Sequence, residues 1–306
     1  MTSPSAITDR PAHTVWTPQI ILALLAVYVI WGSTYLAIRF ALLSWPPLLM
    51  ASTRFFAAGG LLLGYLRWRG TAWPTRAELR GAGLVGILLL CGGNGGVVLA
   101  EQWVSSSLSA ALIATTPIWA VLLASLWGKR PMLVEWVGIF IGFSGVLLLN
   151  ADGELRAYPL GALALMVASF SWALGSVLSQ RVALPKGAMA SAIEMLAAAP
   201  ILLLGSFLRG EHMAGPMEPV ALGAWVYLVV FGSLFGFGAY VYLLAHVRPA
   251  IATSYAYVNP VVALMLGTVF AGEHIAPLGL AGMGVALVGV AVIVLGRALW
   301  PATRTP

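Results

Sequence analysis

From residue 18 onward the chain alternates long apolar runs with short polar connectors. Ten runs approach the roughly 20 residues that an α-helix needs to cross a hydrocarbon core about 30 Å thick. They fall at residues 19–40, 46–67, 81–101, 107–127, 132–149, 159–180, 187–208, 220–244, 249–270 and 277–297. The connectors are too short to hold a soluble domain. The pattern predicts an all-α polytopic membrane protein of ten transmembrane helices, with its function inside the bilayer.

The pattern also repeats. Residues 106–117, SSLSAALIATTP, overlay residues 249–260, PAIATSYAYVNP, at a shift of 143, and the same shift carries CGGNGG at 91–96 onto LFGFGA at 234–239. Farther out the offset drifts only slightly, to 144 for Gly145 and Gly289, 141 for Trp31 and Trp172, and 140 for Arg54 and Glu194. Five spans per half is an odd number, so the second half enters the membrane from the opposite side. Such inverted repeats are characteristic of alternating-access carriers, which bind near the midplane between the repeats. The expected organisation is a tail at 1–18, a first repeat at 19–149, a linker at 150–158, a second repeat at 159–297 and a tail at 298–306.

Composition agrees: 60% of the 306 residues are apolar and 8% are charged, and the mean hydropathy is +0.95. The formal charge of +6 comes from basic residues spread among the connectors, which argues for a membrane and against nucleic acid. Twelve Lys and Arg residues fall on the side of the two termini, among them Arg67, Arg76, Arg80, Lys186 and Arg248, and three on the other, Arg39, Arg156 and Arg209. That bias puts both termini in the cytoplasm. Residues 1–17 lack the basic start and short apolar core of a cleavable leader. One cysteine, Cys91, forms no intrachain disulfide, and no His, Cys and carboxylate cluster has the spacing of a metal site, so neither a metal nor another cofactor is expected.

Several stretches carry a family resemblance: WGSTYLAIRF at 31–40, Arg54-Phe55, NGG at 94–96, TTP at 115–117, SWALGS at 171–176, Glu194 within AIEMLAA, and SYAYVNPVVA at 254–263. Together they resemble the drug/metabolite transporter superfamily. More closely, the chain is similar to its EamA-type ten-helix exporters and, within those, to YedA-like bacterial inner-membrane proteins. The resemblance spans the chain after residue 18. It implies two five-helix halves around a central cavity and export of amino acids, related metabolites or toxic compounds across a bacterial cytoplasmic membrane.

Candidate cavity residues follow from depth and repeat position. Pro117 and Pro260 lie roughly 15 Å deep at equivalent places, where internal prolines free carbonyls. The polar residues before them, Thr115, Thr116, Tyr257 and Asn259, are expected at the cavity, unless the threonines only repair their own helix. Asn94, mid-membrane among glycines, is expected there because an amide facing lipid is the worst alternative, and the glycines themselves are expected to serve helix packing. Trp31 and Trp172 are read as stacking on a substrate or closing a gate, or else as filler between helices, with Ser33, Thr34, Tyr35 and Ser176 supplying hydrogen bonds.

Arg54 and Glu194 are charges inside spans. Their heads are expected to diverge, so no ion pair is predicted between them. Arg54 snorkels outward or draws a carboxylate into a vestibule; Glu194 faces a cytoplasmic vestibule, binding amino groups or carrying a proton. Glu101 is expected to be solvated at the periplasmic interface.

Two other functions compete. GFSG at 142–145 matches the nucleophile pattern of rhomboid-type intramembrane proteases, with Ser144 as nucleophile, but His246 lies at another depth. Gly138 and Gly142, echoed by Gly282 and Ala286, fit helix packing better, and they leave open a homodimer through the fifth and tenth spans. A nucleotide-sugar or phosphate-ester carrier needs a basic cavity, against which stands a single intramembrane arginine. The leading expectation is a non-enzymatic exporter whose partners are a small-molecule substrate and the lipid bilayer.

Overall fold

The structure, a computed structural model, describes residues 16–103, 109, 112–128, 131–149, 159–213, 215–271 and 277–299. The described residues form helices and connecting turns: α1 Pro18–Ala41, α2 Pro47–Trp68, α3 from Arg76 to Ala100, α4 Thr116–Leu126 and α5 Leu133–Leu149 in the first half. The second half holds α6 Pro159–Leu178, α7 Ala188–Leu208, α8 from Pro219 to His246, a single turn Pro249–Ala252, α9 Tyr255–Ala271 and α10 Pro277–Leu299. Six of these, α1, α2, α3, α6, α7 and α8, are long and apolar enough to cross a membrane. This is a multi-pass α-helical membrane protein.

Helix starts follow local chemistry. Proline occupies one of the first two positions of α1, α2, α4 and α8, where its missing N–H costs nothing. Thr75 and Glu78 form a capping box at the head of α3, with the Thr75 N–H donating to Glu78 Oε2 at 2.7 Å. That cap starts α3 at Arg76, five residues before the apolar run at 81, so Arg76 and Arg80 ride on the helix and not on the connector.

The glycine-rich stretch answers to packing. Residues Ile87–Gly95 of α3 and Leu228–Phe237 of α8, repeat equivalents, are wound as wide π turns. A Cβ on Gly93 would sit 2.5 Å from the Trp172 ring, and one on Gly236 would sit 2.6 Å from Trp31 Nε1. Each half therefore receives the tryptophan of the other half's first helix in a glycine notch on its third.

The largest of the other helix contacts obey the same exchange. Helix α1 packs on α8 and α9, and its equivalent α6 packs on α3 and α4; α2 packs on α7, and α5 on α10. Every one of these pairs joins the two halves, which makes the inverted repeat a pseudo-two-fold structure. On the α5–α10 seam a Cβ on Gly145 would meet the Gly282 carbonyl at 2.8 Å, and one on Gly289 would meet the Gly138 carbonyl at the same distance. The small-residue faces of Gly138, Gly142, Gly282 and Ala286 thus close on each other within one chain. A dimer through these helices would have to use other surfaces.

Candidate functional site

Between the halves lies a narrow cavity of about 70 Å³. Helix α1 brings Trp31, Thr34 and Tyr35 to it, α2 brings Arg54, α3 Asn94, α4 Thr116, α6 Trp172 and α9 Asn259. These eight residues, singled out by sequence, come together there. Arg54 is buried and does not snorkel: its Nε donates to Ser233 Oγ at 2.7 Å, and its guanidinium lies 4.9 Å from the Phe55 ring centroid.

The other six candidates stand outside the cavity wall. Ser33 donates to the Ile30 carbonyl and meets the Tyr227 hydroxyl, both at 2.6 Å, on the α8 side of α1. Thr115 bonds Ser169 at 2.8 Å behind Thr116. Ser176 bonds the Tyr240 hydroxyl at 2.6 Å and so holds a cavity aromatic cluster from the rear. Tyr257 turns toward α5, its ring about 3 Å from where a Gly142 Cβ would lie. Pro117 does not interrupt a helix but opens α4, directly after a turn at 114–115. Pro260 does lie inside α9, and the chain break in that half comes earlier, at 253–254.

The wall is polar in a particular way. Thr34 and Thr116 spend their hydroxyls on the Trp31 and Ile113 carbonyls, at 2.7 Å each. Four buried atoms on cavity-lining residues make no hydrogen bond of normal geometry, Arg54 Nη1, Asn94 Oδ1, Trp172 Nε1 and Asn259 Oδ1, and of these Trp172 keeps a looser contact with the Tyr240 hydroxyl. An unsatisfied buried polar group typically costs about 1–3 kcal/mol, and these four surround one space.

An aromatic cluster forms one end. Trp31 meets Trp172 edge to face at 5.3 Å, Tyr240 at 5.0 Å and Tyr255 at 4.9 Å. Beyond it, on the face that the charge bias assigns to the cytoplasm, opens a vestibule of about 590 Å³ whose wall includes Gln180, Lys186, Glu194, Tyr242 and His246. No described residue lines both spaces. Arg54 and Glu194 therefore belong to different compartments and make no pair. Toward the opposite face a third space of about 690 Å³ is lined by Arg39, Glu101, Arg209 and Glu211, among others. Contrary to the expectation of solvation, both Glu101 oxygens are buried and accept no hydrogen bond, with Arg39 the opposite charge within electrostatic reach.

The protease reading finds no geometry. Ser144 is exposed and donates to the Ile141 carbonyl of its own helix, while His246 stacks on Tyr242 and bonds that residue's carbonyl. Among the described residues no group of three or more His, Cys, Asp or Glu could hold a metal ion.

Sequence reasoning missed Ser233, Phe55, Tyr240 and Tyr255. Ser233 had a legible signal: the shift of 143 pairs it with Leu90, a polar residue against an apolar one. The two tyrosines look like ordinary helix filler.

Known proteins share this architecture. A solved crystal structure 21% identical superposes with a TM-score of 0.76, covering 91% of this chain and 98% of its own, which speaks to fold alone. The chain is 46% identical over 281 residues to the inner membrane transporter YedA of Escherichia coli K12, covering 92% of each protein. It is 28% identical over 286 residues to a probable terminal-alkyne amino-acid exporter of Streptantibioticus cattleyicolor, covering 90% of this chain and 94% of that one. The EamA-like transporter family matches twice, at residues 18–151 and 159–295, one match per half of the pseudo-two-fold. With both halves matched and their interlocked helices enclosing a polar cavity, the chain belongs to the EamA-like transporter family.

Proposed function

We propose that this transporter exports amino acids or closely related zwitterionic, amphipathic metabolites from the bacterial cytoplasm, with both termini on the cytoplasmic side. The observation that carries the reading is the set of four buried groups on one cavity wall that make no hydrogen bond of normal geometry. Arg54 Nη1 and Trp172 Nε1 are donors suited to a carboxylate; Asn94 Oδ1 and Asn259 Oδ1 are acceptors suited to an ammonium. The rings of Trp31, Trp172 and Tyr255 offer an apolar surface for a side chain. The relative named as an amino-acid exporter supports the substrate class and the direction.

Transport would proceed by rocking of residues 19–149 against 159–297, with the aromatic cluster opening toward the vestibule in one state. A phosphate ester is less well served, because among the described residues Arg54 is the single guanidinium on the cavity wall.

Counterflow in proteoliposomes tests the reading, with labelled neutral, aromatic and small hydroxylated amino acids, with and without a pH gradient. Saturable counterflow, lost in folded Asn94→Ala, is the expected result. Folded, correctly inserted protein that moves none of them removes amino acids as the substrate class.

A further inference from the structure

The vestibule holds a charge that the central cavity does not use. Glu194 is 1% exposed, and neither of its oxygens has a hydrogen-bond partner. It stands in the wall of the vestibule, a space of about 590 Å³, within electrostatic reach of Tyr240 of the aromatic cluster. Its own helix gives it no basic neighbour in the first or last turn. Of the cationic candidates on the same wall, His246 is stacked at 4.0 Å on Tyr242 and bonded to that residue's carbonyl at 2.7 Å, and the ion pairs among the described residues, Arg209–Glu211 and Arg248–Glu135, leave Lys186 outside any pair with Glu194.

A buried carboxylate needs a compensating charge, either a proton or a cation. A proton requires no room. The space beside Glu194 is large enough for a drug-sized molecule, and its wall is mixed: apolar at Val182, Leu184, Val241 and Leu244, aromatic at Tyr242. Such a wall suits the body of an amphipathic cation with its ammonium turned toward the inner end.

From this arrangement we infer that the vestibule is a second binding site, distinct from the central cavity, that takes organic ammonium ions with an apolar body and pairs them with Glu194. The site recognises amines whether or not they carry a carboxylate, whereas the central cavity adds Arg54 for the carboxylate. Its binding of amines stands on its own geometry; only its place as the waiting position before the aromatic cluster rests on the transport reading above.

The test is equilibrium dialysis of the full chain in lipid nanodiscs with labelled 2-phenylethylamine, against 2-phenylethanol as a neutral molecule of the same shape. Wild-type protein is expected to bind the amine saturably, and more tightly than the alcohol by roughly ten-fold or more, the usual worth of a charge-assisted bond. Glu194→Gln is expected to remove that preference. Val241→Trp, which fills the vestibule without touching the charge, is expected to abolish amine binding and decides the matter where Glu194→Gln does not fold. Equal affinity for amine and alcohol, amine binding retained in folded Glu194→Gln or in Val241→Trp, or proton uptake at Glu194 without amine binding would each overturn the proposal. Failure here leaves amino-acid counterflow untouched, and failure of counterflow leaves amine binding untouched, so the two readings fall separately.

Discussion

Trp31 and Trp172 hold equivalent places in the two halves, and each fills a glycine notch in the third helix of the opposite half, at Gly236 and Gly93. Their indole nitrogens differ. Trp31 Nε1 donates to the Gly232 carbonyl at 3.1 Å, whereas Trp172 Nε1 is buried on the cavity wall with only a looser contact to the Tyr240 hydroxyl. The same division runs through the second helix of each half. Arg54 is tied to Ser233 at 2.7 Å and faces the central cavity, while its repeat partner Glu194 is untied and faces the vestibule. Packing has kept the symmetry that the repeat imposes, and the polar groups have departed from it. A substrate with two unlike ends requires unlike walls, so the breaks in symmetry are where function is to be sought.

The symmetric part breaks most severely. Gly93→Leu and Gly236→Leu each push a side chain into a tryptophan across the half-to-half interface, and overpacking of this kind costs about 1–3 kcal/mol. Both variants are expected to lose that much stability, by similar amounts, and to stop transport. Unfolding midpoints in detergent measure it. If one substitution is tolerated and the other is not, the two notches are not equivalent and the symmetric scaffold is wrong.

Next in size is the charged asymmetry. Arg54→Gln is expected to raise the KM for carboxylate substrates roughly ten- to hundred-fold, the worth of one or two charge-assisted hydrogen bonds. Ser233→Ala keeps the charge but frees its orientation, and a rise of roughly five-fold is expected. Counterflow with each variant reads both. Equal effects in the two variants would mean that Ser233 does more than hold Arg54, and no effect in either would remove the carboxylate from that side of the cavity.

These distinctions were only partly legible from sequence. Apolar run length located the spans because bilayer thickness enforces it, yet it placed the start of α3 late, since Thr75 and Glu78 cap a polar first turn that hydropathy reads as connector. Side-chain direction was the harder problem. Tyr255 and Tyr257 are two positions apart, about 200° around a helix, so the first lines the cavity and the second packs against α5. Thr115 and Thr116 divide in the same way. Depth in the membrane can be counted along a sequence, but helix rotation cannot, because apolar residues cover every face of a helix that touches lipid on one side and protein on the other. The π turns at Ile87–Gly95 and Leu228–Phe237 add a further shift in phase that composition does not encode.

The smallest effect separates the two tryptophans themselves. Phenylalanine at either position keeps an aromatic ring in its notch and removes the indole N–H, so the lost packing is similar in the two variants. Trp31→Phe also removes a bond to the Gly232 carbonyl, and a buried hydrogen bond is worth about 1 kcal/mol net. Trp172→Phe removes a donor that makes no hydrogen bond of normal geometry and only a looser contact with Tyr240, which spares most of that cost. Without substrate, Trp31→Phe is therefore expected to be less stable than Trp172→Phe by about 1 kcal/mol. With substrate the order inverts: Trp172→Phe is expected to raise KM roughly five-fold, through the bond its nitrogen makes only to the guest, while Trp31→Phe leaves less of a mark. Thermal unfolding and counterflow on the same two preparations supply both numbers. If stability and KM move together in the two variants, the indoles are alike in function as well as in place, and the indole nitrogen of Trp172 does not belong to the substrate.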